Sequence, residues 1–214
     1  MITSGDISNP TGIEFTQEQR DESFRDAYWT SAVRFGLQYY VAGRFATTGG
    51  FVPVSANLLH HAIELLLKAC LAHDDSVDTI RNYGQRGGYH HNLQLLWAEF
   101  KRRNASKGHE DFDAVVTALD KFEDIRYPEK LIQDGAEITI DVFEYPDVAN
   151  TNANAGAQYE LKLPLIDRLM GALFEALHTN PEFFLWELEM SDKRVDMYYS
   201  KVKETFLGLA PKAD

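Results

Sequence analysis

Apolar and polar positions fall along this chain in blocks, and the period of each block predicts an element. Thr16-Gln17-Glu18-Gln19 has the form of a capping box, in which a Thr hydroxyl and a Gln three residues on satisfy exposed backbone N–H groups. A first helix is therefore expected over about 17–47, stopped by Gly49-Gly50. Phe24, Tyr28, Ser31, Phe35 and Tyr39 mark its apolar face, widened by Trp29, Val33, Tyr40 and Phe45. Gly36 and Gly43 either weaken this helix or let a neighbour approach closely. From Pro53 to His73 runs PVSANLLHHAIELLLKACLAH, with Pro53 suited to a first turn. This second helix is apolar almost all round, which places it at the centre of a bundle. Its His60, His61, Glu64 and Lys68 must then be paired or functional.

Residues 74–89 read as a polar, glycine-containing loop. Leu93, Leu96, Trp97 and Phe100 predict a third helix over about 91–104, and Phe112, Val115, Val116, Leu119 and Phe122 a fourth over about 110–126, ending before Pro128. The period then changes from helical to alternating. Ile138, Ile140 and Val142 alternate with polar residues, as do Tyr159, Leu161 and Leu163, which predicts a β-hairpin or two short paired strands within about 136–163. Pro164 opens a fifth helix to about 178, ended by Asn180-Pro181. FFLWELEM fits a strand or a helix, and Ser191 could cap a final helix bearing Val195, Tyr199, Val202 and Phe206. The expected fold is mainly α, an antiparallel up-and-down helical bundle with a small β-hairpin insertion and a C-terminal helical extension. Its divisions are a flexible lead over 1–15, the bundle over 16–180, and an extension over 181–214 that packs on the bundle or on a dimer partner.

Composition narrows the function. The 214 residues are enough for one sizeable core. A net charge of −12 argues against broad, non-specific nucleic-acid binding. The acidic excess lies in 1–30 and 109–214, whereas 31–108 is net basic, so an anionic ligand is sought in the middle third. With Cys70 as the only cysteine no internal disulfide can form, and a reducing, cytoplasmic setting is expected. The first residues show neither a basic start nor an apolar stretch, so no signal peptide is expected, and the longest apolar run is too interrupted by charges to be a membrane span.

On the second helix, Glu64 and Lys68 stand four apart in the favoured order for an ion pair, and His60 lies four before Glu64. These groups either hold neighbouring helices in register or form a binding site between them. The run 39–71, then YHHNLQLLW and KFEDIRYP, resembles the HEPN (higher eukaryotes and prokaryotes nucleotide-binding) superfamily over about residues 24–130. The matching positions are Glu64 with Lys68, His91 with Leu93, and Arg126-Tyr127-Pro128. The resemblance implies a homodimer and a binding role, with a nucleotide, RNA or a partner protein as ligand, in a toxin–antitoxin or phage-defence setting. Arg126, with a planar fork suited to a buried carboxylate, is expected to pair with Glu64.

The same resemblance implies an alternative, a metal-independent ribonuclease using an Arg-x(4–6)-His motif, in which a cation stabilises the transition state and an imidazole moves protons. Arg103 with His109, and Arg86 with His91, fit the spacing. Both pairs straddle predicted loops, so no catalytic residue is assigned. A second alternative is a purely structural interaction module. The basic cluster KRRNASK is read first as charge matched to a helix C-terminus and otherwise as a phosphate-contacting patch. Glu175-x-x-His178 is a di-iron type motif without the second copy such sites need. No His-x-x-x-His and no strand-linked glycine-rich phosphate loop occurs, and Cys70 reads as a buried thiol. No metal or cofactor is expected.

Overall fold

The computed structural model describes residues 15–85, 88–105, 109–122, 137–141 and 158–180. Six α-helices among them are numbered here in chain order: α1 Gln17–Thr48, α2 Val52–Ala72, α3 Val77–Arg81, α4 Leu93–Arg103, α5 Asp113–Phe122 and α6 Leu163–Ala176. A 3-10 turn, Glu110–Phe112, precedes α5, and strands β1 Glu137–Asp141 and β2 Gln158–Lys162 lie before α6. Residues 1–14 of the expected lead, the fourth helix beyond 122, and the whole extension over 181–214 lie outside the described residues.

The capping box forms as its sequence requires. Thr16 Oγ1 accepts from the Gln19 N–H at 3.2 Å, and Gln19 Oε1 accepts from the Thr16 N–H at 2.9 Å. At the other end Gly50 takes φ of 75°, a conformation open to glycine at little cost, and lets α1 turn directly into α2. The two helices then pack as an antiparallel hairpin. Gly36 lies against Ala62 and Leu66, while Gly43, two turns on, lies against Leu58 and Leu59. A Cβ at Gly43 would stand 2.9 Å from Leu59. The close-approach reading of these glycines is therefore the correct one.

That close approach corrects the predicted face of α1. Val33, Gly36, Leu37 and Gly43 are buried against α2, whereas Phe35, Tyr39 and Phe45 stand largely exposed. Small residues line the contact because only they let two helix backbones come this near.

The second helix is the central rod. Ala56, Leu59, Ile63, Leu66, Leu67, Ala69 and Leu71 on its different faces are inaccessible to solvent. Helices α1, α4, α5 and α6 and strand β1 all pack on it. Burying one such Leu side chain is worth about 1.5–3 kcal/mol, so this helix supplies much of the apolar stabilisation.

Three expectations change. Residues 74–89 hold a short helix, α3, capped by Ser76 Oγ on the Thr79 N–H, with Val77 and Ile80 buried. The strands pair in parallel, Glu137 opposite Gln158 through Asp141 opposite Lys162, so the pair is not a hairpin. The up-and-down order also breaks once. His91, at the entry to α4, touches Glu64, and Arg103, at its end, touches Leu71 and Asp75, so α4 runs in the same general sense as α2. The chain returns to antiparallel order at α5, where Asp113 meets Trp97 and Lys101, Thr117 meets Gln94, and Asp120 meets Leu93. The result is a mainly helical bundle. Among the described residues no helix is long and apolar enough to cross a membrane.

Candidate functional site

His60, Glu64 and Lys68 recur every four residues and so form one stripe along α2, with His61 one step aside. Packing buries the stripe: His60, Glu64 and Lys68 are all nearly inaccessible. The fifth member arrives from elsewhere in the chain. The turn before α4 places His90 at φ of 47°, in the left-handed region uncommon for a residue with a Cβ. Asn92 then caps α4 through the Leu95 N–H, and Asp120 of α5 accepts from the Leu93 N–H. Lys68 Nζ fixes the turn by donating to the His90 carbonyl at 3.0 Å. His91 is thereby held over Glu64.

Glu64 is the hub. Its Oε1 accepts a short hydrogen bond from Lys68 Nζ. His91 Nδ1 lies 3.1 Å from both carboxylate oxygens, and His61 Nδ1 lies 3.3 Å from Oε2. His60 Nε2 stands 3.9 Å from Oε2, while its Nδ1 contacts the Leu119 carbonyl at 3.1 Å. Burial by itself pushes the Glu64 carboxyl upward. Hydrogen bonds from His61 and Lys68, the Lys68 charge and the His91 contact outweigh it, and the carboxyl is held at about 2. Tyr28 is pushed up to about 12, first by burial and then by the Glu64 charge. The rim of the cluster is open. The side chains of His61 and His91 are 29% and 42% exposed, and the Tyr39 ring lies 5.5 Å from that of His61.

The predicted polar seam thus assembles around four of its five residues, His60, His61, Glu64 and Lys68. The fifth, Arg126, lies outside the described residues, and with it the expected Glu64–Arg126 pair. His91, a position of the resemblance and a candidate half of the Arg86–His91 pair, contacts Glu64 and so joins the seam; Arg86 lies outside the described residues. The other pair is Arg103 with His109. Arg103 donates to Glu99, to the Leu71 carbonyl and to Asp75, a set of bonds that ties α4 to the end of α2. His109 is buried, its ring 5.2 Å from Phe100 and 6.0 Å from Trp97.

The remaining candidates take structural places. Lys101 bonds Asp113 and Arg102 bonds Glu99, so the described part of KRRNASK is engaged within its own neighbourhood. Glu175 and His178 are exposed at the end of α6, not directed into the bundle. Cys70 Sγ lies 3.9 Å from the Leu173 carbonyl, and burial pushes its thiol up to about 12, which leaves it a poor nucleophile.

Sequence reasoning missed one grouping. His61, Glu64 and His91 present ligand atoms all within 4.8 Å of one another. The only local trace is His61-x-x-Glu64, since His91 comes from another segment. Set against known proteins, the chain matches no family model, no curated protein and no solved structure. The HEPN resemblance therefore rests on its own residues.

Proposed function

We propose that this chain is a non-catalytic, HEPN-like binding protein whose ligand, a nucleotide or RNA, docks at the rim formed by His61 and His91. One observation carries the reading: Glu64, Lys68 and His91, three positions on which the resemblance stands, meet in a single cluster that opens to solvent. Glu64 and Lys68 neutralise each other within it, so the imidazole edges at the rim are left to meet a phosphate, and Tyr39 beside His61 gives a ring on which a base can stack. The engagement of Arg103 in structural bonds favours binding over cleavage.

The reading includes the homodimer that the resemblance implies, and a toxin–antitoxin or phage-defence setting. Exposed Phe35, Phe45, Phe51 and Val54, on α1, α2 and the turn between them, supply apolar surface for a second copy. The test is fluorescence anisotropy with labelled single-stranded RNA, and calorimetry with ATP and AMP. Wild-type protein binds one of these probes, more weakly as salt rises. His61→Ala with His91→Ala costs about tenfold or more, the scale of one lost charge-assisted hydrogen bond. A wild-type protein that binds none of the probes refutes the proposal, and cleavage of the RNA replaces it with the ribonuclease alternative.

A further inference from the structure

The hub of the cluster has a second chemistry that does not depend on nucleotide binding. We infer that His61, Glu64 and His91 form a site for a divalent transition metal, zinc above all.

The argument begins with spacing. Zinc bonds to imidazole nitrogen and carboxylate oxygen are about 2.0–2.2 Å long. Two ligand atoms on adjacent corners of a tetrahedron or octahedron with such bonds stand roughly 3.0–3.5 Å apart. Glu64 Oε2 already lies 3.3 Å from His61 Nδ1 and 3.1 Å from His91 Nδ1. All three atoms fall within 4.8 Å of one another. An ion can therefore enter with side-chain adjustment alone.

Donor type gives the class of ion. Two imidazoles and one carboxylate suit zinc and its transition-metal neighbours, whereas magnesium and calcium prefer oxygen shells. Access comes through the half-exposed His91 and the partly exposed His61. Water reaches the site by the same route and would fill the remaining coordination positions.

The surroundings of the carboxylate fit this role. Lys68 bonds Oε1, the oxygen facing away from the His61 contact, and its second bond to the His90 carbonyl fixes it in place. A ligating carboxylate whose other oxygen is held by a hydrogen bond is the usual outer-shell arrangement. His60 closes the inner side of the cluster: its Nδ1 donates to the Leu119 carbonyl at 3.1 Å, and its Nε2 stands 3.9 Å from Glu64 Oε2. On metal binding any proton on Nδ1 of His61 or His91 shifts to Nε2 or is released to solvent.

The test uses the full chain, stripped with a chelator and free of nucleotide. Zn²⁺ is titrated calorimetrically and Co²⁺ by its visible d–d absorption, with Mg²⁺ as the control ion. One Zn²⁺ per chain is expected, with no Mg²⁺ heat. His61→Gln and His91→Gln should each weaken Zn²⁺ by more than about 100-fold, beyond the 10–100-fold typical of outer-shell changes. His73→Gln, at an exposed histidine away from the cluster, should change nothing. Both rim positions are outside the core, and circular dichroism confirms the fold of each variant. Absence of Zn²⁺ binding by the wild type overturns the inference, as does undiminished affinity in folded His61→Gln or His91→Gln. Nucleotide binding that persists in chelator while Zn²⁺ fails would sink the metal site alone, and the converse result would sink only the nucleotide reading.

Discussion

Replacing Lys68 by Met asks how much the buried hub contributes to folding. The Lys68 and Glu64 side chains are 7% and 4% exposed, so solvent screens their attraction little. Removing one partner of such a pair costs about 3–5 kcal/mol, because a charge is left in the interior without its counter-ion. Two features of this cluster pull the loss toward the lower end. His61 and His91 still contact the Glu64 carboxylate, and the His90 carbonyl that Lys68 releases belongs to an exposed residue that water can reach. The expected loss is about 3 kcal/mol, or roughly 6–12 °C in Tm for a chain of this size. Urea unfolding followed by far-UV circular dichroism, with thermal melts beside it, measures both. The double variant Lys68→Met with Glu64→Leu should recover most of the loss, since an apolar pair of similar volume often replaces a buried ion pair without penalty. A single-variant loss below about 1 kcal/mol, the scale of an exposed pair, would refute the reasoning.

Two further outcomes follow from geometry already described. Gly43→Ala forces a methyl to within 2.9 Å of Leu59, so overpacking of about 1–3 kcal/mol exceeds the gain of about 1 kcal/mol in helix propensity, and melts should show a net loss larger than for Gly36→Ala, where the nearest atom is 3.1 Å away; a stabilised Gly43→Ala protein would contradict the close packing. Hydrogen bonds from Arg102 hold Glu99 at about 2, and those from Lys101 and Trp97 hold Asp113 below the usual carboxylate range. Both folded values lie under the unfolded ones, so their contribution is present above about pH 4.5 and fades as pH falls toward 2. Asp113→Asn should flatten part of that acid decline in Tm; an unchanged slope would mean that the Asp113 contacts do not stabilise the fold.

The parts of this structure visible in the sequence are those decided locally. The 53–73 segment reads as the central rod because its apolar residues occupy every face, and Thr16 with Gln19 marks the start of α1 by a four-residue signature. The face of α1 was not visible, because large aromatics such as Phe35 and Tyr39 attract attention while the contact with α2 selects glycine. Alternation at 138–142 and 159–163 tells which residues share a face but is blind to strand direction, so a parallel pair looks like a hairpin. The seam on α2 follows from helical spacing. The meeting of Glu64 with His91, 27 residues on, depends on a left-handed His90 that no periodicity announces.

The parallel ladder has a consequence for how the chain assembles. In a hairpin the rungs next to the turn close first and draw in the rest, but here every rung joins residues equally far apart along the chain, from Glu137–Gln158 to Asp141–Lys162. No rung is cheap to close, and each demands nearly the same loss of chain entropy. The α1–α2 unit, hinged at Gly50, has short-range closure available from the outset. The expected sequence of events is helical hairpin first and strand pair late. Since β2 passes into α6 with no residue between Lys162 and Leu163, that helix must dock in the same late step.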